Sequence, residues 1–217
     1  MSIAFKTLTP AQLALVDQHR SELSYRKGEI MCKEGAFLSN MLFVKKGLVK
    51  IFIEKQGNPT IISIERNGHF VGLPSVFNEG DLVYHYTVEA LTDTEVCLVD
   101  IGTFMKLVEE NQAFANQVMH MLSSEVIRGY QHMLSLTQKQ IRGRFAELIL
   151  HLKNSIYEQS EFELTITRKD MSDLIATTQE SISRLIKEFK KDRLIELNHQ
   201  RMLILDEAKL HYLSRVG

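Results

Sequence analysis

Four polar side chains recur on one face of the stretch TTQESISRLIKEF (177–189). Glu180, Ser183, Arg184 and Lys187 stand at i, i+3, i+4 and i+7, the spacing that aligns side chains along a helix. Their chemistry suits the edge of a base pair. A guanidinium can donate two hydrogen bonds to guanine O6 and N7, a carboxylate can accept from cytosine N4, and a hydroxyl can serve either kind of base. Gln179, beside them, can reach another base or a phosphate, while Thr167, Arg168, Thr178 and Lys187 can hold phosphates and set the register. A structural use competes with this one. Thr177 and Glu180 have the spacing of a capping box. Glu180 and Arg184 could also form an i, i+4 surface pair worth about 0.3–0.5 kcal/mol.

Such a face needs an anchor. Ile182, Leu185, Ile186 and Phe189 repeat with the same spacing on the other side, so one half of this helix is built to be buried. Upstream, Thr167-Arg168-Lys169-Asp170 has the form of a capping box with Asp in place of the usual Glu, opening a helix that turns Met171, Leu174 and Ile175 inward. Only a few residues separate the two helices. Downstream, LIEL, NHQR and MLIL spell a β-hairpin. Two close helices and a hairpin make a helix–turn–helix followed by a β wing, which places its second helix in the major groove.

The rest of the chain supplies a different kind of domain. TPAQLALVDQHRSEL (9–23) has the pattern of a short helix, with Thr9 to cap it and Pro10 in its first turn. From Tyr25 to Asp100, short apolar runs are divided by Gly28, Gly35, Gly47, Gly57, Gly68, Gly72 and Gly80. LFVKKG, LVKIFIEKQGNPTIISIE with a hairpin turn at KQGNP, YTVEAL and EVCLVDI have strand character, and together predict an antiparallel barrel or sandwich. Residues 103–136 form a long helical pattern. Along it Val118, Leu122, Val126, Gly129, Met133 and Leu136 step by the 3.5-residue average of a coiled-coil seam. The seam predicts dimerisation; packing on the chain's own barrel is the other use of such a stripe. Residues 140–155 give one more amphipathic helix. The expected organisation is α+β: a β-roll sensor domain (1–102), a dimerisation helix (103–137) and a winged helix–turn–helix (138–217).

Composition agrees with that division. From Gln138 onward there are 14 Lys and Arg against 12 Asp and Glu, whereas the preceding residues carry 12 against 15. The C-terminal third is thus slightly basic, as contact with nucleic acid permits. Cys32 and Cys97 form no CxxC pair, so no zinc ribbon or cysteine-ligated cluster is written here. No apolar run approaches membrane-spanning length, and MSIAFKTLTP lacks the apolar core of a signal peptide. The expectation is a cytoplasmic protein with no membrane partner.

Taken together, the glycine-punctuated barrel, GHFVGLPSVF followed by YTVEA, the long helix and ITRKDMSDLIATTQESISRLIKEF resemble the CRP/FNR family of bacterial transcription regulators across nearly the whole chain. The match is more specific in the helix–turn–helix than in the barrel. The resemblance implies a cyclic-nucleotide-binding-type β-roll, a long dimerisation helix and a winged helix–turn–helix. It also implies a homodimer on palindromic double-stranded DNA, with RNA polymerase as a further partner. Glu180, Ser183 and Arg184 match the E-x-x-S-R pattern of the FNR-like branch, which implies a TTGA-like half-site whose G·C pair is read by Glu180 and Arg184. Gln179 stands where the cAMP-receptor branch has Arg, which argues against that branch's half-site.

The implied sensor departs from the family's best-known members. Where cAMP-binding relatives have Glu after the second glycine of GxFxG, Gly72 is followed by Leu73, and their Arg-Ser pair falls on Tyr84 and His85. Their purine-contacting hydroxyls fall on Gly129 and Tyr130. Leu73, Tyr84, His85, Gly129 and Tyr130 therefore mark the expected effector pocket. No Lys or Arg occurs between Arg66 and Lys106, although a buried cyclic phosphate calls for charge-assisted donors. Two cysteines cannot supply the four thiolates of an iron–sulfur cluster. No cofactor is assigned: cAMP and an iron–sulfur cluster are disfavoured, and haem on His69, His85, Cys97 or a Met is kept as a minor reading, as is redox sensing by Cys32 or Cys97. A small-molecule effector, if one exists, is unnamed by the sequence. Neither HExxH, GxSxG nor a P-loop is present, and YHYTVE offers a single His where cupin enzymes pair two, so no catalysis is expected. The rival function is a ligand-binding module acting on a protein partner, with a helix–turn–helix that only packs. In the favoured mechanism, a signal in the β-roll shifts the packing of residues 118–136 and turns two recognition helices toward successive major grooves.

Overall fold

The computed structural model describes residues 4–55, 57–78 and 80–217, and the chain divides into two compact units, Met1–Arg128 and Gly129–Gly217. The dividing point falls inside the long helix.

The first unit opens with a 3-10 turn, Ala4–Thr7, and α1 (Pro10–Gln18). Thr9 caps α1 through a full capping box with Gln12. Six strands follow: β1 (Arg20–Tyr25), β2 (Ile30–Cys32), β3 (Asn40–Lys46), β4 (Leu48–Lys55), β5 (Asn58–Arg66) and β6 (Phe70–Val71). The single-turn α2 (Leu73–Val76), then β7 (Thr87–Ala90) and β8 (Thr94–Asp100), complete two antiparallel sheets, ordered β1-β8-β3-β6 and β2-β7-β4-β5. The hairpin expected at KQGNP joins β4 to β5, with Lys55 paired to Asn58; Gln56 lies outside the described residues.

Alternation along β3 explains its unbroken apolar run. Leu42 and Val44 face a core shared with Val49, Ile51 and Val88 of the other sheet, while Met41 and Phe43 face a second core built with helical residues. That second core is aromatic: Phe5, Phe43, Phe70, Phe104 and Phe114 pack edge-on or tilted, with neighbouring centroids 5.1–6.4 Å apart.

Two helical expectations are corrected here. The helix expected over 9–23 ends at Gln18, and RSELSY becomes β1, an edge strand paired with β8. Its weak apolar pattern reflects its position, since most of its side chains are exposed. The helix expected over 103–136 is divided into α3 (Ile101–Glu110) and α4 (Gln112–Gln138). Asn111 makes the break: it leaves the helical conformation, its Oδ1 accepts from Phe114 N at 2.9 Å, and its Nδ2 donates to Thr7 O and Gln12 Oε1.

The second unit continues α4 into α5 (Ile141–His151), a π-helical turn at Leu152–Tyr157 and β9 (Glu161–Glu163). The helix pair α6 (Arg168–Leu174) and α7 (Gln179–Lys191) follows, then the hairpin β10 (Ile195–Asn198) and β11 (Arg201–Ile204), and finally α8 (Glu207–Val216). β11 pairs with both β10 and β9. Sequence periodicity had passed over α8, although Asp206 caps it by accepting from Lys209 N. Its packing depends on Gly143, where a Cβ would come within 2.6 Å of the Gly217 carbonyl oxygen. Phe145 of α5 and Phe189 of α7, both fully buried, meet edge to face at 5.0 Å. Phe189→Ala is expected to destabilise this unit by about 3–5 kcal/mol, read by urea unfolding.

Candidate nucleic-acid interface

The two helices are placed by their caps. Thr167 and Asp170 form a reciprocal box: Thr167 Oγ1 accepts from Asp170 N at 3.1 Å, and Thr167 N donates to Asp170 Oδ2 at 2.7 Å. α6 buries Met171 and Leu174, and Ile175 after it is also buried. Ala176 then takes a left-handed conformation, φ 49°, which turns the chain sharply, and Thr177 N donates back to Ser172 O at 2.9 Å. The next cap is Thr178, whose Oγ1 accepts from Ser181 N at 3.1 Å. The alternative capping box of Thr177 with Glu180 is therefore not used, and Glu180 is left free of that duty.

Helix α7 buries Ile182, Leu185, Ile186 and Phe189, as its spacing requires. On the other side Gln179, Glu180, Arg184 and Lys187 are exposed and Ser183 is half-buried. Ser183 Oγ donates to Gln179 O at 3.0 Å. Among the described residues, neither Glu180 nor Arg184 has a side-chain hydrogen bond or ion pair, so the i, i+4 surface pair is absent as well.

Nearby bases fall into two groups. Lys169 is paired with Asp173 at 3.2 Å, Lys190 Nζ donates to Leu197 O, and Arg201 of the wing is paired with Glu161. Arg142 of α5 bonds Glu188 at 2.7 Å and Asp192 at 2.5 Å and lies over the Phe189 ring. These hold the module together. Arg168, Arg184 and Lys187 are exposed without an ion pair among the described residues, and Thr167 and Thr178 are exposed beside them. The turn of the wing, His199 and Gln200, is also exposed; sequence reasoning drew this hairpin but gave its tip no role.

The expected effector residues are not gathered into one lining. Leu73 is buried and borders a cavity of about 250 Å³ in the first unit, where Gly68, His69 and Phe70 meet residues 117–128 of α4. Tyr84 is buried, but its hydroxyl donates to Asn40 O at 2.9 Å. His85 is exposed beside Asn78. Gly129 and Tyr130 are exposed and belong to the second unit. The GxFxG turn is closed by Tyr86, which the sequence did not single out: Gly72 N donates to its hydroxyl at 2.8 Å. Gly72 needs to be glycine there, since φ is 109° and a Cβ would lie 3.2 Å from Leu38 Cδ1.

This donor set does not fit a cyclic phosphate, because the two positions that should hold it present a committed phenol and an exposed imidazole. An iron–sulfur cluster does not fit either. Cys32 and Cys97 lie on different sheets, and burial pushes the Cys32 thiol up to about 12 and the Cys97 thiol in the same direction. Burial thus favours the thiol form of both. Among the described residues no group of three or more His, Cys, Asp or Glu is arranged around a metal site. No described helix is long and apolar enough to cross a membrane.

The expected seam is narrower than its spacing suggests. Val118 is only 1% exposed and Leu122 packs on the same aromatic core, so both serve their own chain. Val126 (50% exposed), Gly129 and Met133 (57%) remain open, Leu136 is half-buried, and Ile127, Tyr130 and Leu134 are exposed around them.

Comparison with known proteins agrees with the geometry of both units. Residues 22–111 match the model of the cyclic nucleotide-binding domain, and residues 143–213 match that of the Crp-like helix-turn-helix domain. The electron transport regulator A of Shewanella oneidensis is 27% identical over 194 residues, which cover 87% of this chain and 76% of that one. The fumarate and nitrate reduction regulatory protein of Vibrio cholerae is 26% identical over 217 residues, covering 97% and 86%. Among solved structures, FixK2 from Bradyrhizobium japonicum superposes with a TM-score of 0.82 at 22% identity, covering 91% of this chain and 98% of that one. A sheet domain of the cyclic nucleotide-binding type followed by a Crp-like helix–turn–helix defines a DNA-binding transcription regulator rather than an enzyme. The chain belongs to the CRP/FNR family of these regulators.

The cap at Thr167 can be tested by its removal. Thr167→Ala is expected to lower stability by about 1 kcal/mol in thermal or urea unfolding.

Proposed function

We propose that this regulator acts as a homodimer on palindromic DNA and reads a TTGA-like half-site with α7. The observation that carries the proposal is the state of Glu180 and Arg184. Both are exposed, neither bonds the other, and the helix that bears them is anchored by its opposite side. Arg184 is assigned to guanine O6 and N7 and Glu180 to the cytosine N4 of the same pair, with Ser183 and Gln179 on neighbouring bases. Thr167, Arg168, Thr178 and Lys187 are assigned to phosphates. Arg184→Ala should lose about 1–3 kcal/mol of discrimination between a TTGA palindrome and a scrambled duplex in fluorescence anisotropy. Lys187→Ala should instead weaken binding to all duplexes and reduce the salt slope by about 1. Unaltered DNA affinity in Arg184→Ala would favour a helix pair used only for packing, and a protein partner in place of DNA.

The dimer is assigned to the exposed part of α4, around Val126, Gly129, Met133 and Leu136, flanked by Ile127, Tyr130 and Leu134. Val118 and Leu122 contribute indirectly, by fixing the helix on its own β-roll core. A charge on this stripe has no counter-ion in a self-complementary interface, so Met133→Asp should yield monomers in sedimentation equilibrium while leaving the β-roll folded. The domain scheme proposed is a β-roll sensor over 1–102, a helical dimerisation segment over 103–137 and a DNA-binding module over 138–217. A signal received by the sensor acts through α4 by favouring one arrangement of the dimer. The site of action is the cytoplasm, where DNA and RNA polymerase, the remaining proposed partner, are met.

A further inference from the structure

The cavity beside Leu73 is lined by a carboxylate that has no ion-pair partner among the described residues. Glu65 of β5, with its side chain 15% exposed, bonds His69 Nδ1 at 3.0 Å and stands 3.9 Å from Arg128 of α4. Glu125, one turn before Arg128 on the same helix, lines the cavity and has no ion pair or hydrogen bond among the described residues. The groups that face it are Glu65 from β5, His69 from the turn before β6, Tyr86 before β7, and Arg128 from α4 itself. His120 also lines the cavity and is exposed. Among the described residues the Arg128 guanidinium and the His69 imidazole are thus both engaged with Glu65, and Glu125 has no partner of its own.

We propose that this junction is a proton-dependent contact: uptake of one proton by Glu125 tightens β5 and the 68–70 turn against residues 117–128 of α4, and its release loosens them. The two carboxylates are driven apart in acidity. Burial, then the charge of Glu65, pushes the Glu125 carboxyl up to about 6, against a smaller opposing pull from Arg128 and His69. Burial also raises Glu65, but the hydrogen bond and charge of His69, with Arg128, outweigh it and hold Glu65 below the usual carboxylate range. Glu65 therefore keeps its charge while Glu125 titrates. Burial pushes the Tyr86 phenol up, so it stays neutral.

The sign follows from the raised value. The tight arrangement binds the proton before the loose one does, so a fall in pH through about 6 favours the tight form. Above that value the ionised carboxylate opposes the contact, and the dependence ends once pH falls below the ordinary glutamate range, where both forms are protonated. The local claim stands independently of DNA reading; only its transmission along α4 to the DNA-binding unit rests on the proposed function.

The test is hydrogen exchange on the full-length protein, following peptides within 117–128 at about pH 5.5 and about pH 7.5 after correction for intrinsic rates. Opening of this segment is expected to be about fourfold rarer at the lower pH, the change that linkage gives for a carboxyl at about 6 in the tight form and at the ordinary 4.5 in the loose one. Glu125→Gln should show the low-pH protection at both values. Glu65→Gln should reduce the response, because the facing charge is gone, and it keeps the claim testable if Glu125→Gln does not fold. Carboxyl-carbon NMR should show one glutamate titrating near 6 that is absent from Glu125→Gln. Equal wild-type protection at the two pH values would overturn the proposal. So would an undiminished response in Glu125→Gln, which would place its origin in another group. Loss of DNA binding with this local response intact would count against the DNA assignment alone.

Discussion

The contact of Phe145 with Phe189 is the constraint on which the presentation of α7 depends. It buries the base of the helix, and Arg142 reinforces it by lying over the Phe189 ring while bonding Glu188 and Asp192 on either side. Those ion pairs are partly exposed, so their share of the stability is small. Their value is directional. Successive residues on a helix point roughly 100° apart, so a rotation by one position would carry Arg184 off the outer face and bring a buried side chain into solvent. An aromatic contact below and a guanidinium clamp beside it fix that rotation.

The caps complete the placement. Thr167 and Asp170 begin α6, Thr178 begins α7, and the left-handed Ala176 between them sets the angle. Because Thr178 rather than Thr177 caps α7, Glu180 is spared from capping. The polar face is then free by construction: its local alternatives, a capping box and an intrahelical ion pair, are both declined. This links a choice of capping residue to an ability to bind an external partner.

Much of this was readable in the sequence because a helix announces itself through repeated burial. Ile182, Leu185, Ile186 and Phe189 do so, and the hairpin at NHQR is equally plain. Elements at edges were harder. β1 was hidden within a helical pattern because an exposed edge strand carries little apolar alternation. The break at Asn111 was hidden because one residue both ends α3 and begins α4, without a Pro or Gly to mark it. The seam was read as one stripe because spacing cannot distinguish a residue facing its own β-roll, such as Val118, from one facing outward, such as Met133. The effector pocket was least readable. Of the expected positions only Leu73 borders the cavity, whose charged lining is His69, Glu125 and Arg128, with Glu65 paired behind His69 and Arg128; these lie far apart in sequence and have no shared motif.

The most direct test of the central claim is a cycle that crosses Arg184→Ala with replacement of the G·C pair in each TTGA half-site, with all four affinities measured at one salt concentration. If Arg184 reads that guanine, the base change is costly to the wild type and nearly neutral to the variant, and the two losses do not add. Independent, additive losses would contradict the account, for Arg184 would then contribute only charge and the half-site would be read by other residues.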